Sequence, residues 1–242
     1  MAAAVQSMIV TAHQASYLPW CGLMAKIACA DVFAVFDVAQ YEKKSFEARN
    51  SIKTQQGPLL LSVPVESSDH FTKTGGEIRI VPGRWSQKHV RSIVMAYGKA
   101  PYFADYWPSI RAAIEWSSDG RLIELNLCLL KILMEFLDIK TPVVLASDYK
   151  PAGEKSGLVL DLCRKMGATS YIFGSQGRGY ADVKAFEAAG VKPYFQDYQH
   201  PTYAQLHGAF VPRLSVIDLL FNEGPRSLEI IMRGNASKDH YR

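Results

Sequence analysis

The chain has 242 residues, 48% hydrophobic and 21% charged, the balance of a globular protein with ample material for a core. No apolar run approaches the roughly 18 to 20 residues needed to cross a bilayer, and the opening MAAAVQS lacks the basic region and apolar stretch of a signal peptide, so a cytoplasmic protein without a membrane partner is expected. A net charge of +4 makes it mildly basic; no nucleic-acid module accompanies its basic clusters, which leaves a small anionic ligand or a carrier as the expected partner.

Residues 8–12 (MIVTA) read as a short buried strand, and 20–30 as an amphipathic helix. The turn between them, His13-Gln14-Ala15-Ser16-Tyr17-Leu18-Pro19-Trp20, therefore lies at a strand's carboxyl end, where open α/β sheets bind ligands. A hydrogen-bonded strand-end histidine accounts for His13 taken alone. The amide, phenol and indole that follow it favour a site. Cys21, Cys29, Cys128 and Cys163 are scattered without metal spacing and read as buried reduced thiols. Cys21, near the amino end of the first helix, is a lesser candidate nucleophile.

A second strand is expected over 31–36 (DVFAVF), with Asp37 at its carboxyl end. A polar connection carrying Gln40 and Lys43 leads to Arg49-Asn50-Ser51-Ile52-Lys53, and through Gly57-Pro58 to a strand at 59–65, so a hairpin follows the strand-helix-strand unit. Pro64 places that last strand at an edge. Residues 66–76 read as a loop and 78–81 as a brief strand stopped by Pro82-Gly83. A helix capped by Ser86 follows, carrying Lys88 and His89 within a weaker basic group. Helices over 102–116 and 122–137 complete a helical section at about 86–138, the last so continuously apolar that it reads as buried.

The final third alternates: a strand at 142–146, a helix at 155–166 ending at Gly167, strands at 170–173 and 192–195, and a helix at 183–189 between them. Such alternation implies parallel pairing through right-handed crossovers. The expected fold is α/β, one domain over 1–242: a largely parallel, Rossmann-like sheet with flanking helices, a β-hairpin addition and the helical middle section. The turn GSQGRG at 174–179 offers backbone N–H groups and Arg178 to an anion, with Tyr180 beside it; a turn chosen for backbone geometry explains its glycines equally well. A second polar and aromatic cluster, 196–203, contains His200. In the helix at 214–221, Ser215 reads as a cap, with Asp218 as the acidic partner of a capping box. His13, His89 and His200 show no spacing that indicates a metal, and none is assigned.

Taken together, these residues resemble the WbqC-like family. Its opening signature, His-Gln-Pro-x-Tyr-Leu-Pro-Trp, stands here as His13-Gln14-Ala15-x-Tyr17-Leu18-Pro19-Trp20. The likeness runs on through Lys26-Ile27, Asp37, Gln40-Tyr41, Lys43, Arg49-Asn50-x-Ile52-Lys53, Lys88-His89, Asn126, Arg178, Tyr180, His200-Pro201 and Leu214-Ser215-x-Ile217-Asp218, nearly the whole chain. Two positions depart from it: Ala15 replaces a proline, and Ala48 an asparagine. The resemblance implies acyl or aminoacyl transfer to an amine, forming an amide in a polysaccharide or specialised-metabolite pathway.

Such a reaction needs a base, donors for a developing oxyanion and cations for the donor's phosphate. His13 is the candidate base, with Asp37 to orient it. Lys43, Arg49 and Lys53 would receive the anion, Gln14, Gln40 and Asn50 would donate hydrogen bonds, and Tyr17 and Trp20 would wall the pocket. Lys88, His89, Arg178, Tyr180 and His200 complete the candidate binding set. No cofactor is assigned; a phosphopantetheine-linked or nucleotide-linked donor, the former on an acyl or peptidyl carrier protein, fits the chemistry. Two other readings stand beside it. One is a nucleotidyl-transferring or adenylate-forming enzyme, since strand, His, turn and helix resemble the entry to HIGH-type folds, although the second histidine and glycine of that signature are absent. The other is a non-catalytic scaffold in a biosynthetic assembly, with the tyrosines and tryptophans as a partner surface.

Overall fold

The apolar, β-branched run after the leader forms β1 (Ile9–His13), and DVFAVF forms β2 (Val32–Val35), joined by α1 (Cys21–Ala28). The structure, a computed structural model, describes residues 7–66, 72–116 and 120–242. β1 is parallel to β2, with His13 paired to Val35. The chain then leaves the sheet for an antiparallel hairpin, β3 (Arg49–Thr54) and β4 (Gly57–Ser62). Pro58 lies within β4, opposite Lys53, where its missing N–H costs little because among the described residues β4 pairs with β3 alone.

The helical section follows as α2 (Trp85–Tyr97), α3 (Phe103–Trp116) and α4 (Leu122–Phe136). Ser86 is not its cap: the helix starts one residue earlier, Arg84 precedes it without a side-chain cap, and Ser86 is buried in the first turn. No continuous strand forms at 78–81: Ile80 bridges Val65 and Arg79 bridges Arg121, and each contact stops after a single residue pair. Of the expected loop at 66–76, residues 67–71 lie outside the described residues, and 75–77 form a 3₁₀ turn capped reciprocally by Thr74 and Glu77.

The chain returns to the sheet with β5 (Val143–Leu145), α5 (Lys155–Met166), β6 (Ser170–Phe173), α6 (Val183–Ala188) and β7 (Lys192–Phe195). All pairings in the five-stranded sheet are parallel, in the order β5-β2-β1-β6-β7. Counting only these strands, the order is third, second, first, fourth, fifth: a doubly wound arrangement whose direction reverses between β1 and β6. Two short helices, α7 (Val216–Glu223) and α8 (Ser227–Met232), follow.

Period-two alternation decides which way the site histidine faces. Val10 and Ala12 of β1 pack with Val159, Leu162 and Cys163 of α5 in one cluster, so His13 falls on the opposite face, with Thr11 and its paired Phe33. That is the face of the main core, where Phe33 and Val35 meet residues of α1 to α4 and the hairpin.

Candidate functional site at the strand reversal

His13 closes β1 and is half-buried. Its Nδ1 lies 2.8 Å from the Gln14 carbonyl oxygen. A carbonyl only accepts, so Nδ1 carries the hydrogen and Nε2 keeps its lone pair. The ring meets Trp20 edge-on at 5.2 Å, and Trp20 in turn contacts the exposed Phe46 at 5.0 Å. Burial, and then the Lys26 charge, push the His13 pKa down to about 4 against the opposing pull of the Gln14 carbonyl. The imidazole is neutral at pH 7.

Lys26, which sequence reasoning took only as part of a resemblance, belongs to this site. It is 3% exposed and donates from Nζ to the Ala12 carbonyl at 3.0 Å. Burial pushes its pKa down to about 7. The available signal was a lone lysine within the apolar CGLMAKIA of α1.

Several expected roles are corrected. Asp37 does not orient His13: its Oδ1 accepts from the Ser147 N–H at 2.9 Å, closing the ends of β2 and β5, while Gln14 holds the imidazole. Lys53 is no anion receiver. It is 1% exposed, and Nζ donates to the carbonyls of Ala209 at 2.6 Å and Gly208 at 3.4 Å, strapping the hairpin to a distant loop. Asn50 is structural too, donating to the Leu18 carbonyl at 2.6 Å and accepting from the Ser51 N–H at 2.8 Å. It thereby holds Leu18 at φ 45°, a left-handed conformation that a leucine seldom adopts.

Tyr17 is fully buried rather than a pocket wall, its hydroxyl 2.8 Å from His89 Nδ1. His89, also buried, packs on Trp85 and bonds the Ser62 backbone; burial pushes its pKa down to about 4. The pair ties the turn to α2 and β4. His200 is likewise a joint, with Nδ1 on the Pro201 carbonyl at 2.9 Å and Nε2 accepting from the Arg213 N–H at 3.2 Å. Cys21 is buried, and burial followed by the Asp218 charge pushes its thiol up to about 12, which removes it as a nucleophile. Asp218 is no capping partner: it accepts from the Tyr97, Tyr203 and Gln205 side chains at 2.8 to 2.9 Å. Ser215 does cap α7.

What stays near His13 is Gln14, whose amide donates to the Gln40 carbonyl at 3.1 Å, and Trp20. The side chains of Gln40, Lys43 and Lys88 are exposed, Arg49 is half-buried beside Tyr41, and none of these cations makes a salt bridge among the described residues. Across the reversal, 175–179 is a 3₁₀ turn at the carboxyl end of β6. Arg178 lies over the Phe195 ring at 5.0 Å and Tyr180 against Phe173 at 6.0 Å. Gly177 is required by packing, since a Cβ there would stand 2.6 Å from that of Phe173. Among the described residues, no three His, Cys, Asp or Glu side chains are grouped to hold a metal ion, and no helix is long and apolar enough to cross a membrane.

These elements define a doubly wound α/β protein with a strand-end histidine beside the reversal of its sheet. The chain belongs to the WbqC-like protein family, whose sequence model matches residues 14–230. It is similar to the uncharacterized protein Rv1507c of Mycobacterium tuberculosis (strain ATCC 25618 / H37Rv), 33% identical over 212 residues that cover 87% of this chain and 92% of that protein. No solved structure matches it.

Proposed function

We propose that this protein transfers an acyl or aminoacyl group to an amine, forming an amide, with His13 as general base in a cytoplasmic biosynthetic pathway. The observation that carries the reading is the state of His13: a neutral imidazole at the end of the central strand, its Nδ1–H engaged by Gln14 and its Nε2 lone pair available. As the amine nitrogen bonds to the acyl carbon, Nε2 takes its proton, and the imidazolium returns it to the departing thiolate or phosphate. A buried imidazolium beside Lys26 is a strong acid, which suits the second step. Arg49 and Lys43 remain for the donor's phosphate, on a phosphopantetheine arm or a nucleotide, now that Lys53 and Asn50 have structural roles. A carrier protein as donor is part of this reading.

The test supplies acyl-coenzyme A, loaded carrier protein, or carboxylate with ATP as donor, and amino sugars as acceptors. Amide is followed by mass spectrometry and pyrophosphate release in parallel. His13→Ala is expected to lower kcat by about a hundredfold or more with the thermal midpoint nearly unchanged; full activity in that variant overturns the reading. The order of the sheet favours a second one, adenylate formation, because reversal next to the first strand is where such sheets seat nucleotides. Pyrophosphate release dependent on ATP and carboxylate would select it. A scaffold would instead show altered assembly in His13→Ala and no chemistry with any donor.

A further inference from the structure

Asn126 lies near the middle of α4, 2% exposed, and Nδ2 donates to the carbonyls of Ala15 at 3.0 Å and Glu47 at 2.8 Å. Those two bonds fix which way the amide points, and they leave Oδ1 buried with no hydrogen-bond partner. A buried acceptor left unpaired costs roughly 1–3 kcal/mol. Asn126 lines a narrow cleft together with Ala15, Asp37, Glu47 and Gly75, closed on its apolar side by Phe36, Leu122 and Ile123. The cleft lies at the carboxyl ends of β1 and β2, on the end of the sheet that bears His13.

Its polar wall is made of acceptors. Glu47 is 4% exposed and makes no salt bridge among the described residues. Its partners are the Glu42 backbone and the Ser45 hydroxyl, the latter at 3.4 Å. Burial, with the Glu42 charge adding to it, pushes its carboxyl up to about 7. Asp37 adds a second carboxylate, half-exposed. Gly75 gives Glu47 room, since a Cβ there would stand 2.5 Å from Oε2. An anion would be repelled here, and an apolar group would leave Asn126 Oδ1 unpaired. A small cation bearing several N–H donors satisfies both requirements.

We propose that this cleft, formed by Asn126 Oδ1 and the carboxylates of Glu47 and Asp37, binds a primary ammonium group carried by the acceptor substrate. The assignment of that ammonium to an acceptor rests on the transferase reading above. The walls stand too close for a free water molecule, so binding requires the cleft to widen, and only a slender head fits. Quaternary ammonium groups such as tetramethylammonium are excluded by size and by the lack of N–H donors.

The test is calorimetric titration of the full chain with methylammonium chloride, with tetramethylammonium chloride and sodium acetate as controls. Methylammonium is expected to bind and the controls not. Glu47→Gln, nearly isosteric, and Asp37→Asn are each expected to weaken binding by about tenfold or more, with near-ultraviolet circular dichroism unchanged. No binding of methylammonium, equal binding of tetramethylammonium, or full affinity in Glu47→Gln overturns the proposal. The two readings fail separately. Amide formation with an unchanged KM for the amine in Glu47→Gln removes the ammonium site and leaves the transferase. Glu47-dependent methylammonium binding, with no amide from any donor, supports the site and removes the transferase.

Discussion

Lys26 is an amine placed where water hardly reaches it, close enough to His13 for its charge to act on the imidazole. Its ordinary pKa of 10.5 falls to about 7 in the folded chain. Between those two values the unfolded chain holds a proton that the folded one has released, so stability rises with pH across that window and is flat below it. The slope is at most about 1.4 kcal/mol per pH unit for one such group. Lys26→Met is therefore expected to stabilise the protein near neutrality and to flatten the rise between pH 7 and 10, read as urea midpoints across that range. The same change removes a charge that depresses the His13 pKa, so the His13 titration followed by NMR should move upward; an unmoved titration would show that the two groups are uncoupled. At this scale the sequence was legible where polarity interrupts an apolar pattern, as at Lys26 and Asn126. It was illegible for Glu47, a carboxylate in a polar stretch whose burial depends on α4 and on residues 75–77.

The β3–β4 hairpin carries two cations in one short strand, with opposite fates. Arg49 is half-buried beside Tyr41 and makes no salt bridge among the described residues, whereas Lys53 runs inward to the carbonyls of Gly208 and Ala209. Lys53→Met is expected to cost about 1–3 kcal/mol by stranding those carbonyls, measured by chemical denaturation, and to leave the KM for an anionic donor as it was. Arg49→Glu is expected to do the reverse, raising that KM with little loss of stability; matching effects from the two would refute the distinction. Element types were readable because the apolar runs of β1, β2, β6 and α4 keep their periods. The tyrosine hub on Asp218 was not, because its donors come from α2 and from residues 203 and 205, far apart in the chain. A Ser-x-x-Asp spacing reads identically whether the carboxylate turns back to the cap or into the core.

The sheet order states where a ligand belongs more firmly than any single motif. Alternating strands and helices predicted parallel pairing, but the reversal beside β1 depends on β6 returning to lie against a strand laid down some 160 residues earlier, as the bond from Thr11 to Ile172 at a separation of 161 records. The turn after β1 is fastened in the same way: by Asn50 at a separation of 32 residues, by His89 at 72 and by Asn126 at 111. In a chain emerging amino end first, that turn is made early and secured late. Chains stalled on the ribosome short of α4 should be cut by protease within residues 13–20, and released full-length chains should resist; early protection would show that the first strand-helix-strand unit matures unaided. An unfinished polypeptide then carries His13 on a turn that nothing yet holds in place.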